Sequence, residues 1–358
     1  MEEEFIEQGG KVTLQDIATY LGITKATVSR ALKQHPRISK ETVTRVQEAA
    51  VELGYQPDAR INELMRRLRY RRKIVDRPVI AILMHQNFPV GKEPLERKSS
   101  ISRGTWQQAI AMGFQPEIFN IWDYEKNPDR LSKILYSRGI RGAILSSFQH
   151  PQPLPPLNWS HLSLVAVGYS QFSLNVHRCI TNHYQGMMEA IRKACASGYR
   201  RFSVVFGPVV EQRTHGYYRA AYLLNATVDS SCYFAPVAVV GQVSQKEYAT
   251  FLKKEKIEMI LCAGSVEWVQ EVLRLNAWTA PQDVGLIDLH LLEDSRLSGI
   301  WQSPFEVGQA AVDLLVTLIQ NAQTGLTKIP KTILVDGEWY EGESTRKIGQ
   351  PVVPPHVG

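Results

Sequence analysis

The sequence predicts an all-α N-terminal module followed by a larger α/β region in which two lobes each contain a parallel sheet. Residues 12–57 read as three short amphipathic helices separated by turn residues. From residue 78 onward, short apolar runs alternate with segments of helical period. Charge adds a third observation: residues 11–73 hold 14 Lys and Arg against 6 Asp and Glu, whereas the whole chain carries a net charge of only +6. A basic module of this kind is typical of proteins that bind nucleic acid.

The same changes in composition define four segments. Residues 1–57 are the predicted helical headpiece, 58–77 a basic hinge or linker, 78–345 the two-lobe region and 346–358 a C-terminal tail. The chain has 358 residues, of which 44% are hydrophobic, and this is enough for a sizeable core in the two-lobe region.

Turn residues mark where each headpiece helix begins and ends. Thr13 and Asp16 have the spacing of a capping box, and Gly22 can adopt the left-handed conformation that stops a helix. Thr24 can cap the second helix and Ser39 the third. Three helices around so tight a turn form a bihelical DNA-binding unit. The residues expected to face inward are Ile17, Ala18, Leu21, Val28, Ala31, Leu32, Val43, Val46, Ala50 and Leu53.

The second helix carries the groups that can read DNA. In a bihelical unit this helix lies in the major groove and presents its N-terminal residues to base edges. Arg30 can bind guanine through two hydrogen bonds, and Lys25 can contact guanine or a phosphate. Thr27 and Ser29 are suited to positioning the module on the DNA backbone. The alternative is an ordinary three-helix bundle whose exposed residues are only solvated.

Three segments, Val12–Ala18, Thr27–Arg30 and Leu53–Pro57, resemble the headpiece of the LacI/GalR family of transcriptional regulators. The resemblance implies that Lys25, Ala26 and Arg30 read base pairs, and the short side chain of Ala26 can contact only a thymine methyl group. The headpiece residues expected to contact DNA are Thr13, Thr24, Lys25, Ala26, Thr27, Ser29, Arg30 and Lys33.

The resemblance extends into the basic hinge. It implies that residues 58–65 form a helix that inserts Leu64 into the minor groove, where an apolar wedge kinks the duplex. Residues 66–73 carry six positive charges in eight positions, so Arg66 and Arg67 are expected to contact phosphates. A solvated linker is the alternative for this run.

In the two-lobe region, the alternation of strands and helices predicts parallel sheets covered on both faces. The predicted strands are 79–84, 116–121, 142–145, 163–167, 202–206, 259–262 and 284–287. The predicted helices are 101–112, 129–137, 186–196, 216–224 and 266–275.

The family resemblance continues here more weakly. The second half of LacI/GalR proteins looks like a periplasmic sugar-binding protein with two Rossmann-like lobes, and this fold is implied for the present chain. Residues 302–315 match the family's late helix at the dimer surface, and residues 343–345 resemble its closing strand.

Effector contacts are likewise implied by the resemblance. Arg213, three residues before a Gly, matches an Arg that commonly holds sugar hydroxyls in the family. Two family carboxylates are replaced, one by Ser265 and the other by His290. Arg213, His290 and Gln302 are therefore the expected polar contacts, with Trp301 as a stacking surface. For Arg213 the alternative is a surface or inter-lobe ion pair.

The composition argues against a membrane protein and against a secreted protein. No stretch of about 20 apolar residues is present, so no membrane span is expected. The acidic N-terminus lacks the pattern of a signal peptide, and the four cysteines include no Cys-x-x-Cys pair. These features predict a cytoplasmic protein with free thiols.

Catalytic and cofactor motifs are also missing from the sequence. Neither a Gly-x-x-x-x-Gly-Lys loop nor a Gly-x-Ser-x-Gly elbow occurs. His177 and His183 lack Cys or acidic partners at zinc-binding spacing. The chain is therefore expected not to be an enzyme, and neither a metal nor a cofactor is expected.

The expected function is that of a dimeric transcriptional regulator, more often a repressor in this family. It would bind a near-palindromic operator and respond to a small molecule, possibly a sugar, between its lobes. One alternative is a regulator whose core only dimerises and no longer responds to a small molecule. Another is a soluble sugar-binding protein in which the basic N-terminus is incidental.

Overall fold

The computed structural model describes residues 12–32, 38–55, 77–84, 100–147, 154, 156–170 and 174–347. Within these residues, every helix is too short or too polar to cross a membrane. The described residues form a helical headpiece and two sheet-containing lobes.

The headpiece contains helices α1 (Leu14–Leu21), α2 (Lys25–Leu32) and α3 (Lys40–Glu52), as predicted. The three helices contact one another around a small core. Its buried members are Ile17, Ala18, Val28, Ala31, Val46, Ala49 and Ala50.

Local capping fixes the ends of these helices. The Asp16 carboxylate accepts hydrogen bonds at 2.7 Å from both the backbone N–H and the hydroxyl of Thr13, which completes a capping box. Gly22 has a φ of 66° and ends α1, because this left-handed conformation costs glycine little. The Thr24 hydroxyl accepts the backbone N–H of Thr27 at 3.1 Å, and so begins α2 as predicted.

The two lobes contain the remaining elements. The helices are α4 (Ile101–Ala111), α5 (Pro128–Ser137), α6 (His183–Ala196), α7 (Val210–Arg213), α8 (Tyr217–Val228), α9 (Gln245–Lys254), α10 (Val266–Leu275) and α11 (Pro304–Gln320). The strands are β1 (Val79–Met84), β2 (Gln115–Asn120), β3 (Gly142–Leu145), β4 (Ser163–Val167), β5 (His177–Thr181), β6 (Arg201–Phe206), β7 (Tyr233–Phe234), β8 (Ala238–Val239), β9 (Met259–Ala263), β10 (Gly285–Asp288), β11 (Ser298–Trp301), β12 (Thr332–Val335) and β13 (Glu338–Tyr340).

Each lobe is built on one sheet. In lobe 1 the strand order is β12-β5-β4-β3-β1-β2, with every described pair parallel. In lobe 2 the order is β13-β11-β10-β9-β6-β7, with β8 also pairing with β6. Only β13 runs antiparallel among the described strand pairs of lobe 2. Apolar helices cover the sheets, as the buried strand runs require.

The chain passes between the lobes three times: from β5 to α6, from β11 to α11, and from β12 to β13. These crossings are hydrogen-bonded to one another. The hydroxyl of Thr181 donates to the carbonyl oxygen of Gln302 at 2.9 Å. The backbone N–H of Asn182 donates to the carbonyl oxygen of Val335 at 2.7 Å, and its side-chain amide donates to Asp336 at 2.8 Å. The lobes are therefore joined by one compact set of connections.

One element predicted from the family resemblance is wrong. Residues 343–345 form a bend, and the closing strand is β13. Ser344 explains the difference, because its hydroxyl donates to the carbonyl oxygen of Leu286 and accepts the backbone N–H of Ser298. The backbone carbonyl of Ser344 also accepts the N–H of Leu286 at 3.0 Å, so this bend is fixed against β10 without forming a strand. The late helix, predicted within 302–315, is present as α11.

Helices α4 and α11 approach each other closely through two glycines. A Cβ atom on Gly104 would collide with the carbonyl oxygen of Phe305. A Cβ atom on Gly308 would collide with the carbonyl oxygen of Ile101 and lie 2.7 Å from the backbone nitrogen of Thr105. Neither position has room for a larger residue, because the obstacles are backbone atoms.

Gly308→Ala is expected to lower the free energy of unfolding by about 1–3 kcal/mol, since the helices must separate to accept the methyl group. Urea unfolding followed by circular dichroism measures this change. Gly186→Ala is the matched control within α6. Its new Cβ would lie 3.3 Å from a methyl group of Ile300, which can move, whereas the obstacles at Gly308 are backbone atoms. Alanine also favours the helix more than glycine does. Equal stability of the Gly308 variant and the wild type would show that the α4–α11 contact is not tight.

Candidate functional site

The outer face of α2 presents the residues predicted to read DNA. Lys25, Ala26 and Arg30 are exposed on this helix, while Val28 and Ala31 are buried against the other two helices. The side chain of Arg30 therefore points away from the headpiece core and is free to reach a partner.

The polar residues around α2 also have local roles. Thr24 and Thr27 share a hydroxyl hydrogen bond of 2.8 Å at the start of the helix, and Ser29 is half-buried. Thr13 is held in the capping box of α1. The other predicted DNA contacts lie outside the described residues; they are Lys33, Leu64, Arg66 and Arg67.

A second candidate site is a cavity of about 280 Å³ between the two lobes. Lobe 1 contributes residues that follow β3 and β4, and lobe 2 contributes residues that follow β6, β9 and β10. The cavity thus lies at the carboxyl ends of parallel strands, where open α/β sheets bind ligands. The polar side chains that line it include Ser147, Thr181, His183, Arg213, Thr214, Asp288, His290 and Gln302.

Arg213 reaches the cavity from the end of α7. The chain then turns through the left-handed residues His215 and Gly216 (φ 53° and 72°) before α8 begins. Arg213 is half-buried, and among the described residues it has no ion-pair partner. Burial lowers the pKa of its guanidinium. The predicted alternative, an ion pair between the lobes, therefore does not occur within the described structure.

Two imidazoles lie near this guanidinium. Burial in the cleft is the largest cause that lowers the pKa of His183 to about 3, and repulsion by His290 and Arg213 contributes to the same shift. Desolvation and the charge of Arg213 also lower the pKa of His290. His290 lines the cavity and is exposed to solvent. His183 is therefore neutral at pH 7, and its ring nitrogens can accept as well as donate hydrogen bonds.

A buried network forms the floor of the cavity. The side-chain amide of Gln302 donates to the Tyr218 hydroxyl at 2.6 Å and to the carbonyl oxygen of Leu289 at 2.8 Å. Tyr218 donates to the same carbonyl at 2.8 Å and lies 3.2 Å from Nδ1 of His183. Gln302 was predicted as an effector contact, and the structure places it on the cavity with its amide N–H groups already engaged.

Asp288 is a cavity residue that the sequence analysis did not identify. It ends β10, is 3% exposed and accepts the backbone N–H of His290 at 3.0 Å. Burial raises its pKa to about 6, although the His290 hydrogen bond opposes this shift. The cavity thus retains carboxylates, from the exposed Glu267 and the buried Asp288, despite the replacement of both family carboxylates. The only sequence signal was an acidic residue directly after a buried apolar strand.

Two other positions from the sequence analysis do not line the cavity: Trp301, the predicted stacking surface, and Ser265, which replaces a family carboxylate. Trp301 ends β11 opposite Glu338 of β13, and successive residues of an extended chain point to opposite sides. Ser265 is buried, and its hydroxyl donates to the carbonyl oxygen of Val205 at 2.9 Å.

Aromatic residues from both lobes meet beside the cavity. Tyr169 of lobe 1 stacks on His215 of lobe 2 with ring centroids 5.0 Å apart. Its hydroxyl donates to the hydroxyl of Tyr217 at 3.3 Å. His215 and Tyr217 flank the turn after Arg213, so this cross-lobe contact adjoins the cleft's unpaired guanidinium.

Comparison with known proteins finds a family model that matches the headpiece. Residues 13–58 match the family model described as bacterial regulatory proteins, lacI family. The headpiece is therefore similar in sequence to the regulatory proteins that this family model describes.

Two relatives that align with most of this chain are named as repressors. The ribose operon repressor of Lactococcus lactis subsp. lactis (strain IL1403) is 19% identical over 331 residues, which cover 88% of this chain and 94% of the relative. The transcriptional repressor CytR of Escherichia coli (strain K12) is 23% identical over 341 residues, which cover 89% of this chain and 93% of the relative.

A solved structure supports this fold. The lac repressor dimer bound to operator and the anti-inducer ONPF matches it with a TM-score of 0.53 and 19% identity. This match covers 94% of the present chain and 100% of the other. The predicted headpiece and two-lobe fold are confirmed.

Asp288→Asn is expected to change how the free energy of unfolding of this protein depends on pH. The pKa of Asp288 is about 6 in the folded chain, against about 3.9 for an unfolded Asp. Between these values the folded state binds more protons, so the contribution of Asp288 to the free energy of unfolding falls as pH rises. The free energy of unfolding of the variant should equal that of the wild type at about pH 4. Above about pH 7 it should exceed the wild-type value by about 3 kcal/mol.

Urea unfolding of both proteins across this pH range measures the difference. The contribution of His183 has the opposite sign, but it is present in both proteins and cancels in the comparison. Asp294→Asn alters an exposed carboxylate of the same lobe. For this control, the difference in free energy of unfolding between variant and wild type should not change with pH. A flat difference for Asp288→Asn as well would mean that this carboxyl is not held in a desolvated site.

Proposed function

We propose that the chain is a transcriptional repressor that binds a near-palindromic operator as a homodimer. A small polyhydroxylated molecule, such as a sugar, binds in the inter-lobe cleft and changes the affinity for DNA. The observation that carries this proposal is the exposed basic face of α2 on a bihelical unit, in a chain that also has a polar cleft between two lobes.

The proposed DNA contact follows from the geometry of α2. The N-terminal end of this helix enters the major groove, where Arg30 binds guanine through two hydrogen bonds. Lys25 contacts guanine or a phosphate, and the methyl group of Ala26 contacts thymine. Thr24, Thr27 and Ser29, with Thr13 at the start of α1, position the headpiece on the backbone.

Two headpieces are required for a palindromic site. Their recognition helices then contact half-sites separated by about one helical turn, about 34 Å along the duplex. The lac repressor structure is described as a dimer bound to operator, which supports the same arrangement here. The basic hinge, with Arg66 and Arg67 on phosphates and Leu64 in the minor groove, would lie between the two headpieces.

The chemistry of the cleft suits a polyhydroxylated ligand. Sugar hydroxyls both donate and accept hydrogen bonds, and the cavity offers a guanidinium donor, a carboxylate acceptor and neutral imidazole. Arg213 and His290, together with Asp288, would hold such a ligand from the side of lobe 2. Thr181 and Ser147 would contact it from lobe 1. A cavity of about 280 Å³ is near the lower end of the usual range for small-molecule sites.

Binding to groups from both lobes gives a route to regulation. A ligand that contacts lobe 1 and lobe 2 together favours one arrangement of the lobes over another. Its effect on DNA affinity is limited by its difference in affinity for the two arrangements. The stacked pair of Tyr169 and His215 adds a contact that any change in lobe arrangement must alter.

A second candidate function is a regulator whose core only dimerises. It is favoured by the replacement of the two family carboxylates, one of them by Ser265, whose buried hydroxyl is already bonded to Val205. Asp288 and the unpaired Arg213 favour the ligand-responsive function instead.

Arg30→Ala is expected to reduce discrimination between operator and random DNA by about 1–3 kcal/mol, because a bidentate base contact is lost. The operator is first obtained by selection from a random duplex library with the purified chain. Competition binding at fixed salt then measures the ratio of specific to non-specific affinity. Arg45→Ala, which removes an exposed arginine of α3, should change both affinities equally. Undiminished discrimination by the Arg30 variant would refute the assignment of α2 as the reading helix.

A cognate effector is expected to stabilise the chain against heat, by about 2.7 kcal/mol at a hundredfold excess over its dissociation constant. Thermal unfolding is measured with a panel of sugars, phosphosugars and nucleosides. Arg213→Met should abolish the stabilisation, whereas Arg274→Met, which alters a surface ion pair, should not. If no compound of the panel stabilises the wild type, the result would favour the regulator whose core only dimerises.

A further inference from the structure

Lobe 2 contains a group of metal-ligand atoms that the regulatory function does not use. Cys195, the last but one residue of α6, comes together with Asp229 and Cys232 of the turn between α8 and β7. Their sulfur and carboxylate atoms all lie within 4.8 Å of one another. These three residues are called the thiol cluster below.

From the thiol cluster we propose a binding site for Zn²⁺ in which the two cysteine thiolates and the aspartate carboxylate are the protein ligands. The sulfur atoms of Cys195 and Cys232 are 3.7 Å apart. With Zn–S bonds of about 2.3 Å, the edge of a tetrahedron around zinc is about 3.8 Å. The two sulfurs therefore already stand at the separation that the ion requires.

The turn that carries two of the ligands is held in shape by its own hydrogen bonds. One oxygen of the Asp229 carboxylate accepts the backbone N–H of Ser231 at 2.9 Å and its hydroxyl at 2.6 Å. This places Asp229 and Cys232 on the same turn, with one side-chain oxygen anchored. A ligand set that is already ordered loses less entropy when the ion binds.

The local charges balance a divalent cation. Two thiolates and one carboxylate give a charge of about −3 once the thiol protons are released to solvent on binding. The guanidinium of Arg200 lies close enough to influence both Cys195 and Asp229 and is hydrogen-bonded to the carbonyl oxygen of Cys195 at 2.7 Å. The remaining charge of about −2 is neutralised by Zn²⁺, and water takes the fourth ligand position.

A disulfide between the same cysteines fits the structure less well. The sulfurs would have to move to about 2.05 Å from each other. Soft thiolates beside a carboxylate match the preferences of zinc.

The zinc site is distinct from the inter-lobe cleft. Helix α6 has 14 residues, or about 20 Å, with the cavity residue His183 at its first position and Cys195 near its end. Zinc would link the end of α6 to the α8–β7 turn. Because the ligands come from segments 34 or more residues apart, binding would stabilise the folded lobe and raise its unfolding temperature.

The test uses the full chain without a histidine tag, reduced and then freed of metal with a chelator. Titration with Co²⁺ is expected to saturate at one equivalent, with thiolate-to-cobalt charge-transfer absorption and the visible bands of a tetrahedral ion. Zn²⁺ should displace the cobalt. Cys195→Ser and Cys232→Ser should each remove the charge-transfer band or strongly reduce it, and Asp229→Asn should weaken zinc binding at least about tenfold.

Asp123→Asn, which alters an exposed carboxylate of lobe 1, is the matched control and should bind metal as the wild type does. Circular dichroism establishes that each variant is folded, and zinc should raise the melting temperature of the wild type but not of the cysteine variants. A folded wild type without cobalt charge transfer would overturn the proposal. So would a Cys195→Ser/Cys232→Ser double variant with unchanged zinc affinity. Loss of both thiols to oxidised glutathione in a chain that binds no metal would instead identify a disulfide pair.

Discussion

The arrangement of the two lobes depends on Gln302, a buried amide at a point where the chain crosses between them. Its backbone carbonyl accepts the hydroxyl of Thr181 from another crossing, and its side chain donates to Tyr218 and to the Leu289 carbonyl of lobe 2. A buried polar group left without a partner costs about 1–3 kcal/mol. The amide therefore fixes the crossings, the floor of the cleft and the end of β10 with respect to one another.

This constraint explains how the cleft combines groups that the sequence keeps far apart. Arg213 follows β6, Asp288 ends β10 and His183 begins α6 after a crossing from lobe 1. In the poorly solvated space between them, burial lowers the pKa of His183 to about 3 and raises that of Asp288 to about 6. Arg213 remains the cationic group of the cleft, and the neutral imidazole of His183 remains available as donor or acceptor. The site can then hold hydroxyl groups without a full set of carboxylates.

The headpiece depends on a different kind of interaction. Its core consists of short aliphatic side chains, so the capping contacts of Thr13, Thr24 and Ser39 largely decide where each helix starts. Each such cap stabilises a helix by about 1 kcal/mol. The left-handed Gly22 sets the sharp turn that leaves the face of α2 exposed. Local chemistry thus positions the reading surface, whereas the cleft requires long-range packing.

Sequence by itself determined the headpiece helices and most central strands, because caps, left-handed glycines and apolar runs act on neighbouring residues. It missed β5, whose His-Arg-Cys-Ile-Thr sequence looks too polar for a buried strand. Only the tertiary structure supplies the partners that allow this burial: Arg178 donates to the carbonyl oxygens of Gly168 and Leu174, and His177 accepts the backbone N–H of Lys331. The cavity role of Asp288 and the meeting of Cys195 with Cys232 were decided in the same way. Proximity across 37 residues arises from chain topology, which no local pattern of residues encodes.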